Sequence, residues 1–117
     1  FASRYEKPGG GSEDDTFITL IGNKMFSLLG NIIFNLKISD ILYTFILGKT
    51  QSFQKLELKY HDFRLCVELP IKAKKIGLIY STIPSFERSR IAGKKKVNWF
   101  IDGWLILFGM LSFIFKK

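Results

Sequence analysis

Four short stretches of this 117-residue chain hold residue types that could do chemistry. Ser3-Arg4-Tyr5 leads into a loop containing Gly9, Gly10 and Gly11. An arginine beside a flexible glycine loop can clamp a phosphate while the loop closes over it; a surface arginine before an ordinary turn would look the same. Ser39-Asp40 falls between an apolar helical pattern and an apolar run. A carboxylate there can act as a general base toward an acceptor hydroxyl, although a cap or turn residue is the simpler reading and the preferred one on these residues alone. Glu68, inside CVELPIKA, must find a partner if buried, which predicts a structural ion pair. Finally, ERSRIAGKKKVN at 87–98 sets five cations against one acid. Arg88 and Arg90 bracket Ser89, and Gly93 precedes Lys94, Lys95 and Lys96. Guanidinium forks suit phosphate bidentately, and a glycine lets backbone approach closely. A solvated charge run is the alternative, weakened by the greasy stretch that follows at once.

The elements that must position these residues are read from periodicity. Apolar residues at 18, 21, 25, 28, 29, 32, 33 and 36 follow helical spacing, with Asn23, Lys24, Ser27, Asn31 and Asn35 on another side. This predicts an amphipathic helix from Phe17 to about Leu36, capped by Asp15 or Thr16. Residues 41–47 are β-branched and aromatic and predict a buried strand. A short helix is expected over 50–58. Another is expected through CVELPIKAKK, with Pro70 in a tolerated first turn and Gly77 as its stop. GLIYSTIP predicts a strand ended by Pro84, followed by a loop at 85–96 and a last helix from about Val97. The order is an α/β pattern with too few strands for a self-sufficient doubly wound sheet. FASRY reads as the end of a strand whose earlier part lies upstream, which suggests a fragment.

Composition narrows the function. The chain is 47% hydrophobic and 15% aromatic, with 12 Phe, yet carries a formal charge of +8. Basic and greasy together point to an anionic lipid surface. Nucleic-acid binding is disfavoured, because the aromatics sit in apolar runs and are not spaced among the cations as a stacking surface requires. The single Cys66 excludes an internal disulfide and a Cys-rich zinc site, and reads as a buried thiol. His61 reads as a surface residue. P-loop, GxGxxG, HExxH and GxSxG motifs are missing from the sequence, as is a signal-peptide pattern. From Val97 to Phe115 a helix would reach about 28 Å, near the ~30 Å hydrocarbon thickness. Asp102 interrupts it, so membrane association is expected more than full spanning; a core helix is the alternative. Trp99 and Trp104 sit near one end, where interfacial aromatics are favoured, and Lys94, Lys95 and Lys96 are placed to hold that end at an anionic surface.

Taken in order, SRYEKPGGG, Gly22-Asn23, Ser39-Asp40, the run from Phe63 through Glu68 to Gly77, IPSFER, Arg90 to Gly93 with its lysines, and Asp102-Gly103 resemble the C-terminal half of family 2 glycosyltransferases. The likeness is to the dolichol-phosphate mannosyltransferase group and its bacterial relatives, and covers nearly the whole chain. It implies the C-terminal part of a GT-A (Rossmann-like) nucleotide-diphospho-sugar transferase fold. Residues 1–96 would be the acceptor-side half, and 97–117 a membrane-associated helix. The donor-binding half, with the family's DxD motif and its divalent metal (Mg or Mn), would lie upstream. By the same resemblance Arg4 and Arg90 lie near phosphates, with Gly93 and Arg88 beside them. Asp40 is the candidate base or acceptor-orienting residue, and Glu68 is structural. Relatives commonly carry Ser-Lys where this chain has Lys95-Lys96. The implied enzyme is inverting, and acts at the cytoplasmic face of a membrane. It passes a sugar from a nucleotide-sugar donor to a polyprenyl phosphate or glycan, and this fragment alone is expected to be inactive. The competing expectation is a small basic membrane-surface adaptor without catalysis.

Overall fold

The computed structural model describes residues 1–94, 96 and 98–115; the readings that fall on Lys95 and on Val97 lie outside them. In chain order the elements are β1 (Ala2–Ser3), β2 (Gly11–Ser12), α1 (Phe17–Phe34), α2 (Thr50–Leu56), α3 (Leu65–Lys75), β3 (Ile83–Pro84), β4 (Phe86–Glu87) and α4 (Ile101–Phe115).

α1 starts where the sequence places it. Thr16 is the cap: Thr19 N–H donates to its hydroxyl and Thr16 N–H donates to the Thr19 hydroxyl in return, a capping box built from two threonines. Asn35, in the left-handed region at φ 54°, ends the helix by donating its N–H to Asn31 O, a conformation asparagine tolerates.

The orientation of α1 is the main surprise. An amphipathic helix ordinarily turns its apolar stripe to the core. Here Asn23, Ser27 and Gly30 are buried with Phe26, while Ile18, Ile21, Met25, Leu28 and Ile32 are exposed. The inward polar groups bind the chain at 38–42. Asn31 exchanges two hydrogen bonds of 2.9 Å with the Ile38 backbone. Ile41 N–H donates to Ser27 Oγ at 3.0 Å, and Leu42 N–H to Asn23 Oδ1 at 3.2 Å.

That binding explains why the buried strand expected over 41–47 does not form. Its first donors are taken by side chains of α1 instead of a neighbouring strand, and the run continues as turn and extended chain. One ladder-like bond survives, Ala2 N–H to Phe45 O at 3.0 Å. The strand expected from Gly77 to Pro84 is likewise reduced to Ile83–Pro84, and the loop expected at 85–96 contains β4. β1 pairs in parallel with β3, and β2 in parallel with β4. Ser85 links the two pairs, donating its N–H to Ser3 O and accepting from Gly11 N–H.

α3 also departs in one detail. It begins at Leu65, so Pro70 lies inside it and not in its first turn, and Cys66 O loses the N–H that a helix would normally aim at it. Its end is as read: Gly77, at φ 73°, is the left-handed residue. Leu78 N–H donates to Ala73 O and Gly77 N–H to Lys74 O, which is the Schellman arrangement.

The last helix runs from Ile101, with Asn98 to Phe100 ahead of it outside the helix. Asn98 Oδ1 accepts from the N–H groups of Phe100 and Ile101, and Asp102 Oδ2 accepts from Asn98 N–H. Asp102 is therefore part of a cap and no interruption of an apolar run. At ~1.5 Å per residue α4 is about 22 Å long, short of the hydrocarbon thickness. Its inner face supplies Ile106, Met110 and Phe113 to the core formed by Phe26, Leu36, Ile38, Ile41, Val67 and Ile71.

The inverted helix makes opposite mutations behave oppositely. Asn23→Leu, although more apolar, leaves Leu42 N–H without its acceptor and should cost about 2 kcal/mol. Ile32→Asn, on the outer face, should stay within about 0.5 kcal/mol. Urea unfolding of the two variants in lipid-free buffer checks both.

Candidate functional site

Arg4, at the end of β1, is the centre of the polar cluster. Its Nε and Nη2 donate to the two oxygens of Asp40 at 2.8 and 2.9 Å, and its backbone N–H donates to Asp40 Oδ2 at 2.9 Å. Its Nη1 donates to Glu87 Oε2 on β4 at 2.9 Å. The guanidinium lies over the Tyr43 ring, 4.6 Å from its centroid, a cation–π placement. Burial works against its charge, but Asp40 and Glu87 outweigh that and hold its pKa above the ordinary arginine value.

Asp40 is sealed. Its side chain is 0% exposed, and Asn23 Nδ2 donates to the oxygen that Arg4 leaves least covered. Every route by which an acceptor hydroxyl could hand it a proton is occupied. In this structure the Asp40 carboxylate holds Arg4, and its oxygens accept from Arg4 and Asn23. All three guanidinium nitrogens of Arg4 face carboxylates, so it stands as a wall of the cluster.

The glycine loop is tied down from both sides. Ser12 Oγ donates to Glu87 Oε2. Tyr5 OH donates to Asp15 Oδ2 at 2.8 Å, and burial together with that acceptor pushes the phenol pKa up. Ser3 and Ser39 share a hydrogen bond of 2.7 Å, and Ser39 donates to Glu6.

The basic loop supplies the accessible cation. Arg90 Nη2 meets Asp14 Oδ2 at 3.3 Å with 40% of the side chain exposed, and its Nη1 donates to Lys94 O. Glu13 accepts from Ser89 N–H and Oγ. Arg88, Lys94 and Lys96 are exposed. Gly93, also exposed, has φ 84° with open space where a Cβ would sit. The turn explains that glycine without any close approach. Trp99 and Trp104 are exposed as well.

A cleft of about 480 Å³ joins these groups, lined by Arg4, Asp14, Glu87, Arg90 and Lys96 with Tyr43 at its wall. Beside it runs an apolar groove of about 460 Å³ between α1 and α4, lined by Ile18, Ile21, Met25, Trp99, Phe100 and Trp104. Thr19, Leu42 and Ile106 line both.

The remaining sequence candidates are structural. Glu68 accepts from Lys59 and Tyr60 N–H and pairs with Lys72 at 2.8 Å. Cys66 is buried, and burial pushes its thiol to about 11. His61 is exposed. Among the described residues no group of three or more His, Cys, Asp or Glu is set to hold a metal. The adjacent pair Asp14-Asp15 does not fit a divalent ion, because Asp14 turns to Arg90 while Asp15 turns to Tyr5 and Thr19.

Sequence reasoning missed Glu87, Tyr43 and the role of Asn23. The readable signal was polar spacing: Asn23, Ser27 and Asn31 recur every four residues on an otherwise apolar helix, a run that needs buried partners to be tolerated.

Two outcomes follow. Arg4→Gln should destabilise by about 3 kcal/mol, since it strands the buried Asp40 charge, and Arg4→Lys should recover only part because it lacks the planar fork. Chemical denaturation measures both. Burial alone would raise the Glu68 pKa, but Lys72 and the two backbone donors bring it below the ordinary 4.5. Its stabilisation is therefore complete above the unfolded value and is lost as pH falls from about 4.5 through the lower folded value. A pH series of unfolding midpoints should be flatter over that acid range for Glu68→Gln. No family model, curated protein or solved structure matches the chain.

Proposed function

We propose that this chain is the acceptor-side half of an inverting GT-A glycosyltransferase. The whole enzyme would move a sugar from a nucleotide donor to a polyprenyl phosphate at the cytoplasmic face of a membrane. The observation that carries the reading is the shared wall of Thr19, Leu42 and Ile106 between a cation-lined cleft and an apolar groove. An amphiphilic phosphate laid across that wall sets its phosphate beside Arg90 and Lys96 and its first isoprene units between α1 and α4.

The acceptor class follows from the same geometry. A glycan hydroxyl needs a base, and Asp40 is sealed by Arg4 and Asn23. A lipid phosphate is already anionic and needs no proton removed before its oxygen attacks the sugar, so it suits this cleft better than a glycan. Arg90 is the residue to hold it, because its side chain is 40% exposed and its contact with Asp14 is a long one of 3.3 Å, which a phosphate oxygen can replace. Arg4 and Glu87 keep the cleft in shape. The donor site and the Mg or Mn ion belong, on this proposal, to an upstream segment.

The test is a transfer assay with labelled nucleotide sugar and a short polyprenyl phosphate, on this chain preceded by its upstream coding sequence. The longer protein should transfer label to lipid while the 117 residues alone do not. Arg90→Gln should reduce transfer about tenfold, the equivalent of ~1.4 kcal/mol, chiefly through KM for the lipid phosphate. An upstream sequence with no DxD motif, or transfer that ignores the lipid phosphate, overturns the reading.

A further inference from the structure

The outer face of α1 extends beyond the site just described: Ile18, Ile21 and Met25 line its groove, whereas Leu28 and Ile32 do not. Ile18, Ile21, Met25, Leu28 and Ile32 are 47–71% exposed and recur at alternating intervals of three and four, so they form one stripe along the helix. On a wheel of 3.6 residues per turn this stripe lies opposite the buried Asn23, Phe26, Ser27 and Gly30. α1 carries one charge in 18 residues, Lys24, at the edge of the stripe. α4 repeats the arrangement: Ile106, Met110 and Phe113 turn inward, while Ile101, Trp104, Leu105 and Phe108 are exposed. Its one charge, Asp102, is occupied by Asn98 N–H. Ile18, Ile21 and Met25 of α1 and Trp104 of α4 border the same groove, and these paired apolar faces go beyond the scattered apolar residues ordinary on a soluble domain.

We infer that this surface lies in an anionic lipid bilayer, with α1 and α4 in the interface plane. Charge selects the occupant. A second copy would bring another +8 against the first, whereas anionic headgroups reverse the sign. The exposed Lys94 and Lys96 precede Trp99, Phe100 and Trp104 at one end of the groove, the amphipathic aromatics and cations that favour the headgroup boundary. α1 is long and apolar enough to cross a membrane, about 27 Å at ~1.5 Å per residue. Its inner face is nevertheless tied to the backbone at 38–42 through Asn23, Ser27 and Asn31. Such a helix sinks one face to the acyl boundary and keeps the other on the protein.

This inference deepens the membrane side of the transferase reading, and vesicles free of polyprenyl phosphate and nucleotide sugar test it separately. The 117-residue chain is mixed with phosphatidylcholine vesicles with and without phosphatidylglycerol, and binding is followed by flotation. Trp99 and Trp104 are the chain's only two tryptophans, so their emission reports the groove directly. Binding should require phosphatidylglycerol, shift the emission to the blue, and weaken as salt rises from 0.1 to 1 M, where the screening length falls from about 10 to 3 Å. Ile21→Asp and Leu28→Asp should each weaken it at least ~tenfold with unchanged circular dichroism. Ile79→Asp, exposed but off the groove, should bind like the unsubstituted chain. Brominated lipid should quench the tryptophans of the unsubstituted chain, a readout independent of how the variants fold. The inference is overturned by stripe variants that bind normally, by an absence of quenching, or by a dimer in lipid-free solution that Ile21→Asp dissociates. In the last case the face belongs to a second copy. Loss of transfer activity with vesicle binding intact would count against the transferase reading alone.

Discussion

Three inward side chains of α1 set the conditions for everything packed around them. Asn23, Ser27 and Asn31 carry the hydrogen bonds of a buried segment, 38–42, that belongs to no helix or sheet. Each bond contributes only about 1 kcal/mol net, but each buried donor left without one would cost about 1–3. The segment can therefore sit in the core only while α1 keeps its polar side turned toward it. From there the constraint spreads outward. Asn23 and the fixed 38–42 backbone place Asp40, Asp40 orients Arg4, and Arg4 reaches Glu87 on β4, which also accepts from Ser12 on β2. The short parallel pairs are joined to the helices by that buried charge relay as much as by apolar contact. Among the described residues every buried side-chain nitrogen and oxygen has a partner.

Turning the polar side of α1 inward leaves the core to be filled from elsewhere. Phe26 is the one large apolar side chain that α1 buries fully. The remaining volume comes from Leu36, Ile38 and Ile41 on the tethered segment, from Val67 and Ile71 on α3, and from Ile106, Met110 and Phe113 on α4. The bulk of α1's aliphatic content faces out. A helix designed for water would have the opposite arrangement, and the lipid neighbour inferred for its far side is what would reconcile the sequence of α1 with its orientation.

This is also why the sequence was legible in some respects and opaque in others. Local devices could be read directly: the Thr16 cap, the stop at Gly77 and the need of Glu68 for a partner each depend on a few adjacent residues and on the intrinsic geometry of backbone or carboxylate. Periodicity revealed that α1 has two faces, yet it cannot say which one meets the core, because that depends on what surrounds the molecule. The strand expected at 41–47 failed for a related reason. β-propensity describes side chains that fit a pleated surface, whereas a strand exists only if a neighbour takes its N–H groups, and here Ser27 and Asn23 took those of Ile41 and Leu42. Asp102 was misread because a charge in an apolar run looks like a break until Asn98 is seen to be its capping partner. Of the site, Arg4, Asp40 and Arg90 were visible as residue types, but their roles were not. Nothing in the spacing indicated that one arginine would be saturated and the other accessible.

That difference between the two arginines decides how the cleft can work. Arg4 is 10% exposed and bound by two carboxylates at 2.8–2.9 Å. Removing either acid to make room for a phosphate would leave a buried charge unpaired, a loss larger than one phosphate contact returns. Arg90 is 40% exposed and its pair with Asp14 is 3.3 Å long. A surface pair of that kind is worth at most about 1 kcal/mol, so a bidentate phosphate competes for it easily. The cleft is rigid on the Arg4 side and adaptable on the Arg90 side, and the adaptable side belongs to the same loop whose lysines lead into Trp99 and α4. On the proposed reading, an anionic headgroup drawn in by those lysines would meet the arginine that can exchange its partner, with the apolar groove across Thr19, Leu42 and Ile106 to hold the chain behind it.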